Sequence, residues 1–209
     1  MANTLFPAAL VRMRNLPTST IEIAEEPALP EVMLSEMLRK VFGWEEDIRS
    51  LLRTEWHSHR PGSMERTILQ CWLGENLVDH SGQNESAGRS LDVDCMMLAL
   101  RTSGREDLVA KMSLAQRLKD EGDVHLAAAL HVSMGQTDAA TGMYISSGLW
   151  MEAILLAALH WPQEWQRIAG FLRGWTASML AECDELRGRA ARCISSSEIK
   201  PKQHWAPLL

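Results

Sequence analysis

The chain is short of the residues that build sheets and brace secreted folds. Across 209 residues it has one tyrosine and three phenylalanines, and strand-forming β-branched residues are sparse, which argues against a strand-rich fold. Its four cysteines, Cys71, Cys95, Cys183 and Cys193, form no CxxC pair and are too few for a disulfide framework. No apolar run reaches the roughly 18 residues that a membrane-spanning helix needs. There is no basic excess either. The net charge is −6 and the pI about 5.7, which argues against a protein whose main work is coating nucleic acid. The local strings of serine hydrolases, P-loop nucleotide sites, dinucleotide sites and zinc proteases are all missing. The expectation is therefore no enzyme, no cofactor and no metal.

What is present favours helix. Ala, Leu, Met, Arg and Glu are plentiful, and hydrophobic residues make up 46%, enough for a real core. Eight of the twelve aromatics are tryptophan. Residues 1–29 are broken by Pro7, Pro17, Pro27 and Thr18-Ser19-Thr20 and read as mostly irregular. The first twenty residues hold no acid and carry Arg12 and Arg14, a trait of mitochondrial presequences, but their prolines interrupt the helix such a signal needs. A cytoplasmic location is the expectation, with the nucleus open.

From Pro30 the chain turns helical. Pro30 suits the first position of a helix carrying Leu34, Met37, Leu38 and Val41, with Gly43 as its left-handed stop. A second helix is expected from Trp44 to about His57. A third follows a Ser63 cap and carries Ile68, Leu69, Trp72, Leu73 and Leu77. These make a helical segment over 30–80. Residues 81–90, SGQNESAGRS, read as a linker. A short helix over Asp92–Thr102 and another over Asp107–Glu121 come next.

The pattern then becomes periodic. Gly122, Gly135 and Gly148 are spaced by 13 residues, and so are Ala127, Ala140 and Ala153, and so are Leu130, Met143 and Leu156. A three-turn helix of about ten residues plus a reversal of about three fits this period, with glycine taking the left-handed position. Asp123 and Asp138 are candidate caps for the helices that follow. The alanine lets neighbouring axes approach, and the larger residue three positions on fills the groove. Pro162 is expected to start a helix with Trp165, Ile168, Ala169, Leu172 and Trp175, and a final helix is expected over Thr176–Cys193. The reading is an all-α chain with a short α-solenoid over 91–194, preceded by the small helical segment and followed by a tail over 195–209.

The stretch from Gly122 to Trp175 resembles the tetratricopeptide-like (TPR-like) region of gem-associated WD-repeat proteins, with similar hairpins in intraflagellar-transport and vesicle-coat subunits. The matching residues are Ala127-Ala128 before Gly135, Asp138-Ala139-Ala140 before Tyr144 and Gly148, and Met151-Glu152-Ala153 with Leu156 and Ala157. The resemblance implies helical hairpins and a scaffold that dimerises or holds partner proteins in a larger assembly. In the gem-associated case that assembly handles small nuclear ribonucleoproteins. No catalytic or ligand residue transfers, because the motif is structural.

Candidate chemistry is thin beside these structural readings. His57, His59, Cys71 and His80 lack the paired spacing of zinc sites. Asp92 and Asp94 are explained by a helix start. Residues 162–209 carry seven Lys and Arg against five Asp and Glu, which makes Arg173, Arg187, Arg189 and Arg192 the candidate RNA contacts. Trp150, Trp161, Trp165 and Trp175 are the candidate interface residues, since tryptophan is enriched where proteins meet. Scaffolding by protein–protein contact or self-association is the leading expectation. A ribonucleoprotein adaptor touching RNA through those arginines is the alternative.

Overall fold

The computed structural model describes residues 4–16, 29–74 and 105–182. The expected linker over 81–90, the helix over Asp92–Thr102, the tail over 195–209, and Arg187, Arg189 and Arg192 lie outside the described residues. Among the described residues every regular element is an α-helix. In chain order these are α1 (Pro7–Asn15), α2 (Pro30–Phe42), α3 (Ile48–Ser58), α4 (Met64–Leu73), α5 (Arg105–Glu121), α6 (Val124–Ser133), α7 (Thr137–Ser146), α8 (Trp150–His160) and α9 (Trp165–Glu182). None of them is long and apolar enough to cross a membrane.

The 13-residue period is a repeating backbone device. Helices α6, α7 and α8 begin at 124, 137 and 150. Gly122, Gly135 and Gly148 all have positive φ, at 91°, 74° and 74°. After each glycine the next amide reaches back five residues: Asp123 donates to Leu118, Gln136 to His131 and Leu149 to Tyr144, each at 2.8 Å. This closes the end of one helix and aims the chain into the next. None of the three following helices has a side-chain cap. Asp123 stands at the cap position of α6 without capping it, and Asp138 lies inside the first turn of α7. The expected aspartate caps are thus corrected: the glycine and its backbone bonds define the reversal unaided. Ser133 and Ser146, also 13 apart, donate to the carbonyls of Leu130 and Met143, which lie near the helix ends.

Packing follows the same register. Ala127, Ala140 and Ala153 are fully buried, and Leu130, Met143 and Leu156 are buried beside them. From α5 to α9 each helix packs on the next in chain order. In α8, Met151 to Ala158 are all buried, so this helix has no solvated face and lies inside the structure.

The earlier helices join this core. Helix α4 packs on α6 and α3 on α8, and one continuous apolar cluster runs from Leu5 through Leu52, Trp72 and Tyr144 to Leu172. Within residues 1–29, expected to be mostly irregular, the described residues include one helix, α1. Pro7 sits at its first position, where the missing N–H costs nothing. The expected start of the second helix at Trp44 moves to Ile48, since Asp47 accepts from the Ser50 amide at 2.7 Å and sets the boundary. Ser63 caps α4 as expected, accepting from Arg66, and Gly43 stops α2 at a φ of 63°. Pro162 lies in a turn before α9 rather than at its start. That helix runs unbroken past Trp175, where two helices were expected.

Two outcomes check the register. Ala140→Leu overpacks a fully buried site and is expected to cost about 1–3 kcal/mol in denaturant unfolding; an unchanged midpoint would contradict the close approach. At Gly135 and Gly148 no atom lies within 4 Å of an added Cβ, so the penalty is confined to the backbone. Gly135→Ala and Gly148→Ala should each destabilise by about 1 kcal/mol, with equal stability of the wild type and both variants as the contrary result.

Candidate protein-binding surface

The four candidate tryptophans lie on or beside α8 and α9. Trp150 opens α8, Trp161 follows its last residue, Trp165 opens α9 and Trp175 lies two turns or more along it. All four are half-buried. Each therefore spends part of its surface on the core and presents the rest, so these rings are neither wholly core nor wholly free.

Their inner contacts are specific. The Trp150 ring occupies the space that a side chain at residue 174 would need. A Cβ added at Gly174 would lie 2.6 Å from Trp150 Cη2. The Arg167 guanidinium lies 3.7 Å over the Trp161 ring and 6.0 Å from that of Phe171. It also pairs with Asp138 of α7, and with Glu164 at 3.4 Å. Arg167 thus ties α7 to α9 across the face of Trp161. Arg173, the candidate RNA contact within the described residues, is exposed on α9.

A second feature lies earlier in the stack. Helices α5, α6 and α7 frame a pocket of about 280 Å³, whose lining includes Ala115, Lys119, His131, Ala139 and Gly142. His131 Nδ1 pairs with Gln136 Oε1 at 2.7 Å. Small side chains make this floor shallow, and its volume falls at the low end of ligand-sized pockets, which run from about 300 Å³ upward. Among the described residues no group of three His, Cys, Asp or Glu side chains converges as a metal site would. His59 instead donates from Nε2 to the Leu5 carbonyl at 2.8 Å.

Two buried carboxylates were not anticipated. Glu55 of α3 is fully buried. It accepts from the Ala8 amide at 3.1 Å, from the Ala9 amide and from Arg12 at 3.1 Å. Ala8 and Ala9 are in the first turn of α1, whose own cap residue, Phe6, has no capping side chain. Glu55 therefore caps α1 from another helix. Burial pushes its carboxyl above the ordinary range, while the two amides and Arg12 pull it back down. Glu152 of α8 is also buried and accepts from the Thr4 hydroxyl at 2.7 Å and the Leu5 amide at 3.0 Å. A signal existed for each. Glu152 is the one charged residue in the apolar run WMEAILLAAL, and Glu55 shares a helical face with Leu51 and Leu52.

Around these acids runs a chain of rings. Phe6 meets Trp72 at 5.7 Å, Trp72 meets Tyr144 edge-on at 5.7 Å, and Tyr144 meets His125 at 5.6 Å. The Tyr144 hydroxyl is held well above its usual pKa, first by burial and then by Glu152, so it stays protonated. Burial also raises the Cys71 thiol to about 11, which keeps it an unreactive, protonated group. Nothing in this arrangement sets a nucleophile beside a base.

Compared with protein-family models, with curated proteins and with solved structures, the chain matches none.

The Trp150–Gly174 contact yields a coupled outcome. Gly174→Ala forces the indole off its seat and should destabilise by about 1–3 kcal/mol. In a Trp150→Ala background the same change should cost almost nothing, because the clashing ring is gone. Equal costs in both backgrounds, measured by thermal unfolding, would contradict the contact.

Proposed function

We propose that this chain is a non-enzymatic scaffold or adaptor that works by protein–protein contact or self-association within a larger assembly. The proposal extends to the TPR-like reading of its repeat and to the resemblance with gem-associated WD-repeat proteins, and its setting is the cytoplasm or the nucleus. The observation that carries it is apolar surface left in solvent on the described helices of the stack. On α5, the first described helix of that stack, Leu108, Val109 and Met112 are 38%, 73% and 47% exposed. On α9, the last described one, Trp165 and Trp175 remain half-buried. Covering such groups is favourable by about 25 cal/mol per Å². Tryptophan and methionine are well suited to that task, offering large contact area and adaptable shape.

The experiment is an association measurement across salt. Hydrophobic burial releases no counterions, so concentration-dependent self-association by sedimentation should persist from about 50 to about 500 mM salt. Val109→Asp combined with Met112→Asp should abolish it. Binding of single-stranded RNA is the opposing outcome. Through three or four arginines it should weaken with salt at a log–log slope of roughly −2 to −3, at about −0.7 per phosphate. Tight RNA binding lost on Arg173→Ala, Arg187→Ala, Arg189→Ala and Arg192→Ala together would put the adaptor reading first.

A further inference from the structure

Residues 4–15 are held as a ligand is held. Leu5, Phe6 and Ala9 are 1%, 0% and 0% exposed. They are inserted in the core cluster with side chains of α2, α3, α4 and α8, with Phe6 against Trp72, and α1 packs on α2 and α3. On the opposite side of α1, Val11 is 55% exposed. The long-range backbone hydrogen bonds of Leu5, Ala8 and Ala9 are made with three side chains: Glu152 and Glu55 accept from the amides, and His59 donates to the Leu5 carbonyl. Two of these are buried carboxylates, and they face the start of a helix, where amides are unpaired and the dipole is positive. Arg12, one turn further on, adds its charge to Glu55 at 3.1 Å and stacks 4.6 Å over Trp44.

A carboxylate inside an apolar core is costly unless its partner is present. Glu55 and Glu152 come from helices far apart in sequence, and both turn toward the same short segment. Their placement makes sense as recognition chemistry: an apolar slot reads two bulky side chains, and two acids read the free amides around a helix start. This is the helix-in-groove mode of peptide binding with the helix N-terminus as an added determinant.

We infer that the groove between α2, α3, α4 and α8 is a peptide-recognition site, filled in this structure by residues 4–15, and that it takes in trans a partner segment of the same chemistry. That chemistry is a hydroxyl residue, two bulky apolar residues, a helix-starting proline, small residues on the buried face and a basic residue about a turn and a half after the proline, in the spacing of Thr4, Leu5, Phe6, Pro7, Ala9 and Arg12. The resident segment is a built-in competitor. It belongs to the same chain and so competes intramolecularly with any partner, and a partner enters only when that contact is weakened or outcompeted. The inference rests on the scaffold reading, and the two fail separately. A chain that stays monomeric yet takes up the peptide loses self-association alone; one that associates but never takes it up loses this site alone.

The test uses the full chain and a fluorescent peptide with the sequence of residues 4–16. Phe6→Ala weakens the resident segment and leaves the groove intact. Anisotropy should show the peptide binding Phe6→Ala at least about tenfold more tightly than wild type, since the tethered competitor no longer holds the slot. Adding Glu55→Gln and Glu152→Gln should then loosen it by about tenfold or more, through loss of the charged acceptors. A scrambled peptide should bind none of them. If Phe6→Ala proves poorly folded, saturating peptide should restore its thermal transition, because a ligand of the folded state stabilises it. Equal binding to wild type and Phe6→Ala, binding no better than the scramble, or a poorly folded variant that the peptide does not rescue would each overturn the site and make residues 4–15 ordinary core.

Discussion

One backbone conformation, repeated, sets the terms for the second half of the molecule. A glycine with positive φ at residues 122, 135 and 148 ends a helix and starts its successor within two residues. That turn leaves about ten residues for each helix between glycines, or roughly 15 Å of length. Equal lengths let the alanines at 127, 140 and 153 fall at matching depths, and a small residue at a fixed depth lets successive axes close on one another. The turns carry no side-chain caps, so the geometry rests on the absence of a Cβ and on three amide bonds of 2.8 Å. Helix lengths, packing register and the burial of α8 all descend from it.

This part of the fold was legible because its cause is local. Glycine spacing, alanine spacing and the larger residue three positions on are visible as letters, and each has a physical meaning without knowledge of the rest of the chain. The same holds for Gly43 and Ser63, which end and cap their helices as expected. Where local signals conflicted, the reading missed. Pro7 and Pro17 suggested an irregular start, yet a proline at the first position of a helix initiates it, and α1 lies between the two. Trp175-Thr176 suggested a break in α9, but the Thr176 hydroxyl satisfies itself on the Leu172 carbonyl and the helix continues.

The candidate surface was legible in part. Tryptophan content pointed to residues 150, 161, 165 and 175, and all four lie on or beside α8 and α9 and are half-buried. What could not be read was how they are seated. The Arg167 stack on Trp161 and the slot at Gly174 join residues from separate helices, and no spacing in sequence encodes such meetings. Glu55 and Glu152 were missed for the same reason. A lone acid on an apolar face announces that a partner exists, but its partners lie 46 and 147 residues away.

Those separations bear on how the chain reaches its folded state. A helical array in which each unit touches only its neighbours can nucleate anywhere and zip along its length, and it folds fast because its contacts are close in sequence. Here Thr4 and Leu5 bond to Glu152, and α3 lies against α8. Those contacts close a loop spanning most of the described chain, and loop closure must be met before the contacts return anything. Helix α8, buried along its whole apolar run, has no solvated form in which to wait. The array is consequently not a one-dimensional lattice whose ends fray independently. The contacts that join its first residues and α3 to α8 couple the repeats to the rest of the chain, which favours cooperative unfolding over the loss of one repeat at a time.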